Sequence, residues 1–230
     1  MATINIRVVS DVICPWCYVG KKRLEKAIEM YKKVIPDGAQ DIFTISWHPF
    51  YLDPSLPKTG LDRRAHLIKK FGADRLEMID ERLKSIGEGE GIHFSLKGRI
   101  GNTRDAHRLV QLAKSKSSEI ENKVVASLFK THFEEDGDMT SYDVLVTAGE
   151  KAGLDGAEIR QWLEEGKGGE DVDREVEQAY RRGVQGVPDF LINGKFHVSG
   201  AQEAEVFLEG FVRAKSGSVA GSNVSDGLTC

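Results

Sequence analysis

The sequence predicts an α/β protein in which a four-stranded mixed sheet is interrupted by a large all-helical insertion. Three observations carry that prediction. The chain opens strand, helix, strand; it then runs for roughly a hundred residues without a clear strand signal; and it closes on a helix, a hairpin and a last helix.

Ile4 to Val9 is a short β-branched run and reads as a buried strand. From Cys17 to about Val34, Val19, Leu24, Ala27, Ile28 and Tyr31 recur at helical spacing, and Pro36 closes the segment. A second strand follows at Asp41 to Trp47, and the proline-bearing "HPFYLDPSLPKTG" is a loop. Leu61–Phe71, Asp74–Ile86, Thr103–Lys116, Glu119–Glu134, Ser141–Ala152 and Asp155–Glu165 each suit a helix. Asn102 or Thr103, Ser118, and Thr140 or Ser141 are the candidate N-caps. "EGEGIHFSLKGRIG" reads as a loop rather than a strand pair. A further helix spans Asp171 to Arg182. Asn193-Gly194 then sits between FLI and KFHV, where the positive φ of a type I′ hairpin turn is required. Ala201 to Ala214 is the last helix. This patterning leaves the order of strand pairing open.

Composition narrows the function. With 230 residues, 40% hydrophobic and 30% charged, the chain falls in the ordinary globular range. A formal net charge of −4, with basic residues scattered through helices, argues against nucleic acid as a partner. No stretch reaches the roughly 18 consecutive apolar residues of a membrane span, and no secretory signal is evident, so a cytoplasmic protein is expected.

"SDVICPWCYVG" poses the chemical question: what are Cys14 and Cys17 for? A structural zinc site needs about four ligands. The third cysteine, Cys230, lies in the tail, and the six histidines form no paired motif, so no metal is expected. Two packed core cysteines would explain the residue type but not the position. The turn from strand to helix presents unpaired amides and partial positive charge, which favour a thiolate. Pro15 suits the first helical turn, and Cys17 lies one turn on, on the same face as Cys14. A redox pair follows: Cys14 the exposed nucleophile, Cys17 the more buried thiol that resolves the mixed disulfide. Trp16 adds no charge between them. Asp11, three residues before Cys14, reads as a solvated turn or cap residue in preference to a proton acceptor. Val187-Pro188, at the mouth of the hairpin, is a candidate cis peptide.

CPWC after a first strand, a helical insertion, and GVP before a hairpin together resemble the DsbA-like thioredoxin-fold proteins, in particular the FrnE-type branch. "SDVICPWCYVGKKRLEKAI", "NTRDAHRLVQLAK" and "GVQGVPDFLING" carry the resemblance, which extends from about Thr3 to Ala214. It implies a discontinuous thioredoxin-like domain, 1–58 and 169–215, a helical insertion domain, 59–168, and a disordered tail, 216–230. It also implies thiol-disulfide oxidoreductase activity, with Cys14 as nucleophile, Cys17 as resolving thiol and a cis Pro188 facing them. Pro15, Trp16 and the backbone of Val187 would contact substrate, and Asn102, Arg104 and His107 would line the cleft between insertion and core. The expected partner is a disulfide-containing protein or small thiol. No tightly bound cofactor is implied, with glutathione a candidate co-substrate.

The 2-hydroxychromene-2-carboxylate isomerases and kappa-class glutathione transferases are similar too, including an "NT…AHRL"-like segment. A glutathione-dependent isomerase or transferase acting on a small aromatic or polyketide-like molecule is therefore the alternative. Those enzymes typically carry serine at the position of Cys14, so the intact cysteine pair favours the oxidoreductase. Asp189, directly after the proline, departs from the apolar or hydroxyl residue expected there.

Overall fold

The computed structural model describes residues 1–216; the expected disordered tail, apart from Ser216, and Cys230 lie outside the described residues. Strand β1 (Thr3–Ser10) is followed by helix α1 (Pro15–Val34) and strand β2 (Ile42–Pro49). After the helical block come α8 (Gly169–Arg181), β5 (Asp189–Ile192), β6 (Phe196–Ser199) and α9 (Ala204–Ser216). The strands form one mixed sheet in the order β2-β1-β5-β6. β1 runs parallel to β2, with Val8 opposite Trp47, and antiparallel to β5, with Val8 opposite Phe190. This is the thioredoxin arrangement with a helical insertion between β2 and α8.

Alternation along the strands separates two faces. Ile4, Ile6, Val8, Phe190, Ile192 and Val198 are buried on the face that meets α1 and α9. There Tyr31, Phe43 and Phe211 pack edge to face at 5.0–5.9 Å. The hairpin turn is as predicted: Asn193 and Gly194 have φ of 48° and 67°, and Asn193 exchanges backbone and side-chain hydrogen bonds with Asn5 at 2.7 Å.

The block between β2 and α8 holds β3 (Leu61–Asp62), α2 (Arg63–Phe71), α3 (Ala73–Gly89), β4 (Arg99–Ile100), α4 (Arg104–Lys116), α5 (Ser118–Phe133), α6 (Tyr142–Lys151) and α7 (Gly156–Glu164). Three expectations need correction. Leu61 does not open a helix, and "EGEGIHFSLKGRIG" is not wholly loop, because Arg99–Ile100 pairs antiparallel with Leu61–Asp62. A two-residue ladder is too short to show alternation in sequence. The cap of α5 is Ser117, whose side chain accepts from the Ile120 amide at 3.1 Å; Ser118 Oγ donates instead to Ile45 O on β2. α5 thus lies along the open edge of β2, and Tyr18 of α1 stacks on its Phe129 at 5.2 Å. Inside the block, Arg108 is 2% exposed and donates to the carbonyls of Trp162, Leu163 and Lys167 at 2.7–3.0 Å, satisfying the end of α7. No helix among the described residues is long and apolar enough to cross a membrane.

Candidate active site

Cys14 is the N-cap of α1, with extended backbone (φ −88°, ψ 114°) and Pro15 in the first turn. Its amide donates to Asp11 O at 3.1 Å, and its carbonyl accepts from the Cys17 amide at 3.1 Å. The first turn of α1 contains no acidic side chain, so nothing on that turn offsets the positive end of the helix dipole. The Cys14 thiol donates to Val187 O at 3.6 Å, and the Val187–Pro188 peptide is cis. Pro188 O in turn accepts from the Gly200 amide at 2.9 Å. Cys14, Cys17, Val187 and Pro188 are therefore brought to one place by the ends of α1 and β5.

Two expectations fail here. Cys14 is not exposed: it is 0% accessible and Cys17 1%, so burial does not distinguish the two thiols. Asp11 is not solvated either, being 0% exposed. One of its oxygens, Oδ2, accepts from the Leu52 amide at 2.8 Å. Oδ1 accepts no well-directed hydrogen bond, although His107 Nε2 stands 3.3 Å away. That nitrogen is directed instead at Phe50 O, at 3.2 Å.

Of the "NTRDAH" residues, only His107 reaches the loop that carries Cys14. Asn102 stands just before Thr103, the N-cap of α4, and its Oδ1 accepts from the Arg104 amide at 3.0 Å. Arg104 clamps α4 to α8 through a two-pronged pair with Asp173, at 2.8–3.1 Å. The hydrogen bond from Arg104 holds the Asp173 carboxyl below its usual range. Burial pushes the Tyr51 hydroxyl upward, helped by its hydrogen bond to that same carboxylate.

Two features were not read from the sequence. The Arg82 guanidinium, on α3, lies over the Trp16 ring at 5.9 Å, so the insertion supplies a cation beside a dipeptide that has none. Glu175 on α8 joins three elements: it accepts from His48 at 2.6 Å, Gln111 at 2.9 Å and Lys114 at 3.2 Å. Asp189 is 8% exposed and pairs with His197 across the hairpin. Burial pushes its carboxyl up, with His197 opposing.

A family model for the DSBA-like thioredoxin domain matches residues 5–211. An uncharacterized protein of Bacillus subtilis, YwbO, is 31% identical over 210 residues, covering 89% of this chain and 94% of that one. Among solved structures, the probable DsbA oxidoreductase SCO1869 from Streptomyces coelicolor superimposes with a TM-score of 0.82 at 27% identity, covering 96% and 94% of the two chains. The cytosolic disulfide reductase DsbM from Pseudomonas aeruginosa, solved with GSH, shares the fold at a TM-score of 0.59 and 16% identity, covering 91% and 99%. With strand order, helical insertion and the cysteine-bearing helix end all in place, the chain belongs to the DSBA-like thioredoxin domain family.

Proposed function

We propose that the protein is a thiol-disulfide oxidoreductase in which Cys14 and Cys17 are the redox pair. The observation that carries this reading is the placement of Cys14 at the positive end of α1, with its sulfur against Val187 O and Cys17 one turn along. In the reducing direction, the Cys14 thiolate attacks one sulfur of a substrate disulfide. The substrate S–S bond breaks, one substrate thiolate leaves, and a mixed disulfide holds the other. Cys17 loses its proton and attacks Cys14 Sγ, which expels the second substrate thiolate and closes the Cys14–Cys17 disulfide. Two electrons pass to the substrate. The reverse order oxidises a dithiol, and the potential of the pair sets the direction.

Asp11, buried three residues before Cys14, is the proposed acceptor for the proton that Cys17 gives up, with the Leu52 amide holding its other oxygen and His107 beside it. Pro15, Trp16 and Val187 form the proposed contact surface for the substrate. Arg104 acts at a distance, by fixing α4 against α8, and Asn102 by holding the Arg104 amide at the start of α4. The substrate is a protein disulfide or a small thiol. No tightly held cofactor is required, because two glutathione molecules can reduce the enzyme disulfide and leave as glutathione disulfide. The intact cysteine pair supports this reading over glutathione-dependent isomerisation.

The deciding experiment is a glutathione redox titration with thiol alkylation and mass readout at Cys14 and Cys17. A reversible two-electron transition between roughly −270 and −120 mV supports the oxidoreductase. Failure of the Cys14–Cys17 disulfide to form, or a stable glutathione adduct at Cys14 alone, rejects it.

A further inference from the structure

The second face of the sheet is only partly covered. α8 packs on it near His48, and beyond the C-terminal end of α8 the face opens into a pocket of about 720 Å³. That volume lies within the range of small-molecule sites. Val9 and Leu191, on adjacent strands, give it an apolar floor. Arg7, which pairs in register with Leu191, enters from the sheet, and Arg182 stands at the rim.

The charges in this pocket do not cancel. Asp189 is already paired with His197. Among the described residues, neither Arg7 nor Arg182 has a carboxylate partner, and the buried Nε of Arg7 has no hydrogen-bond acceptor at all. A buried donor left unsatisfied is costly, so the site presents a fixed donor in need of an acceptor, above an apolar floor. We propose that this pocket binds a small molecule with an anionic head, phosphate or carboxylate, and an apolar body. The head is held by Arg7 with Arg182, and the body lies on Val9 and Leu191. The occupant also touches residues 183–186, the segment that leads directly into Val187. The site lies on the opposite face of the sheet from α1 and its cysteines.

The test is a ¹H–¹⁵N NMR titration of the intact protein with phenyl phosphate, which combines both features. Inorganic phosphate and phenol serve as controls. The expected result is saturable shifts of the Arg7 Nε–H and of the amides of 183–186 and Leu191, with phenyl phosphate binding more tightly than either control. Arg7→Met, which keeps the side-chain stem and removes the guanidinium, should weaken binding at least about tenfold. Leu191→Trp, which fills the pocket and leaves Arg7 in place, should abolish it, and it decides the matter if Arg7→Met does not fold. Three results would overturn the proposal. These are no saturable shifts at the pocket, unchanged affinity in the variants, or equal unsaturated responses to phenyl phosphate and inorganic phosphate, which would mean an adventitious ion only.

Discussion

His107 Nε2 lies 3.3 Å from Asp11 Oδ1, and this approach ties α4 of the helical block to the loop that delivers Cys14 to the head of α1. Both residues are nearly inaccessible, at 5% and 0%. Removing the imidazole leaves a buried carboxyl oxygen with no polar neighbour to face and Phe50 O without its donor. His107→Ala should therefore lower stability by about 1–3 kcal/mol in urea denaturation. It should also slow release of substrate from the mixed disulfide, if Asp11 takes the Cys17 proton. An unchanged urea midpoint would contradict the structural part, and unchanged release the chemical part.

Under the proposed mechanism, Cys14→Ser should lower disulfide reduction by at least about 100-fold, because it removes the sulfur assigned to the attack. Cys17→Ser should instead accumulate mixed disulfides, visible as mass adducts that dithiothreitol reverses. Full turnover by Cys14→Ser would sink the proposed assignment.

Arg82 offers a handle on substrate charge. Arg82→Glu should lower the rate with glutathione disulfide relative to that with cystamine, roughly two- to fivefold, as expected for an exposed charge. A ratio that does not move would show that Arg82 only covers Trp16.

Glu175 should set part of the acid limit of stability. Burial alone would raise its carboxyl, but the hydrogen bonds from His48 and Gln111 and the charge of Lys114 bring it from 4.5 down to about 2. A group lowered on folding stabilises above its unfolded value and loses that contribution as pH falls toward its folded one. The contribution is thus complete above about pH 4.5, is lost between about 4.5 and 2, and is on the order of 2 kcal/mol. In Glu175→Gln, denaturation free energies measured across that window should fall less steeply with acid. An identical slope would reject the assignment.

Gly20 is a helical glycine with a reason. A Cβ there would lie 3.0 Å from both Pro188 Cγ and Phe190 Cζ, so its absence lets α1 close on the proline loop. Gly20→Leu should cost about 1–3 kcal/mol through overpacking, read from thermal melts. It should also alter the alkylation rate of Cys14 by displacing Pro188. Wild-type stability and reactivity would contradict this.

What could be read in the sequence was local. CPWC at a strand-to-helix turn and Asn193-Gly194 between apolar runs each depend on a few neighbouring residues, and both stand where expected. The missed features join distant segments: Arg82 to Trp16, Glu175 to His48, Asp11 to His107. Nothing near Cys14 in the chain signals that Val187, 173 residues on, will wall it in, so its exposure was misjudged. The misplaced cap at Ser118 arose differently, because two adjacent serines have equal propensity and only geometry selects Ser117.

The central position of β1 has a consequence for biosynthesis. Its parallel neighbour β2 leaves the ribosome soon after it, but its other neighbour, β5, comes from the far end of the chain. At about 5–20 residues per second, the 173 residues between Cys14 and Val187 take roughly 9 to 35 s to translate. Throughout that interval the nascent dithiol stands at a helix end without the carbonyl that later covers it. The newborn chain is thus more open to oxidation or adduct formation than the finished one, and completion of the sheet is the event that closes that window.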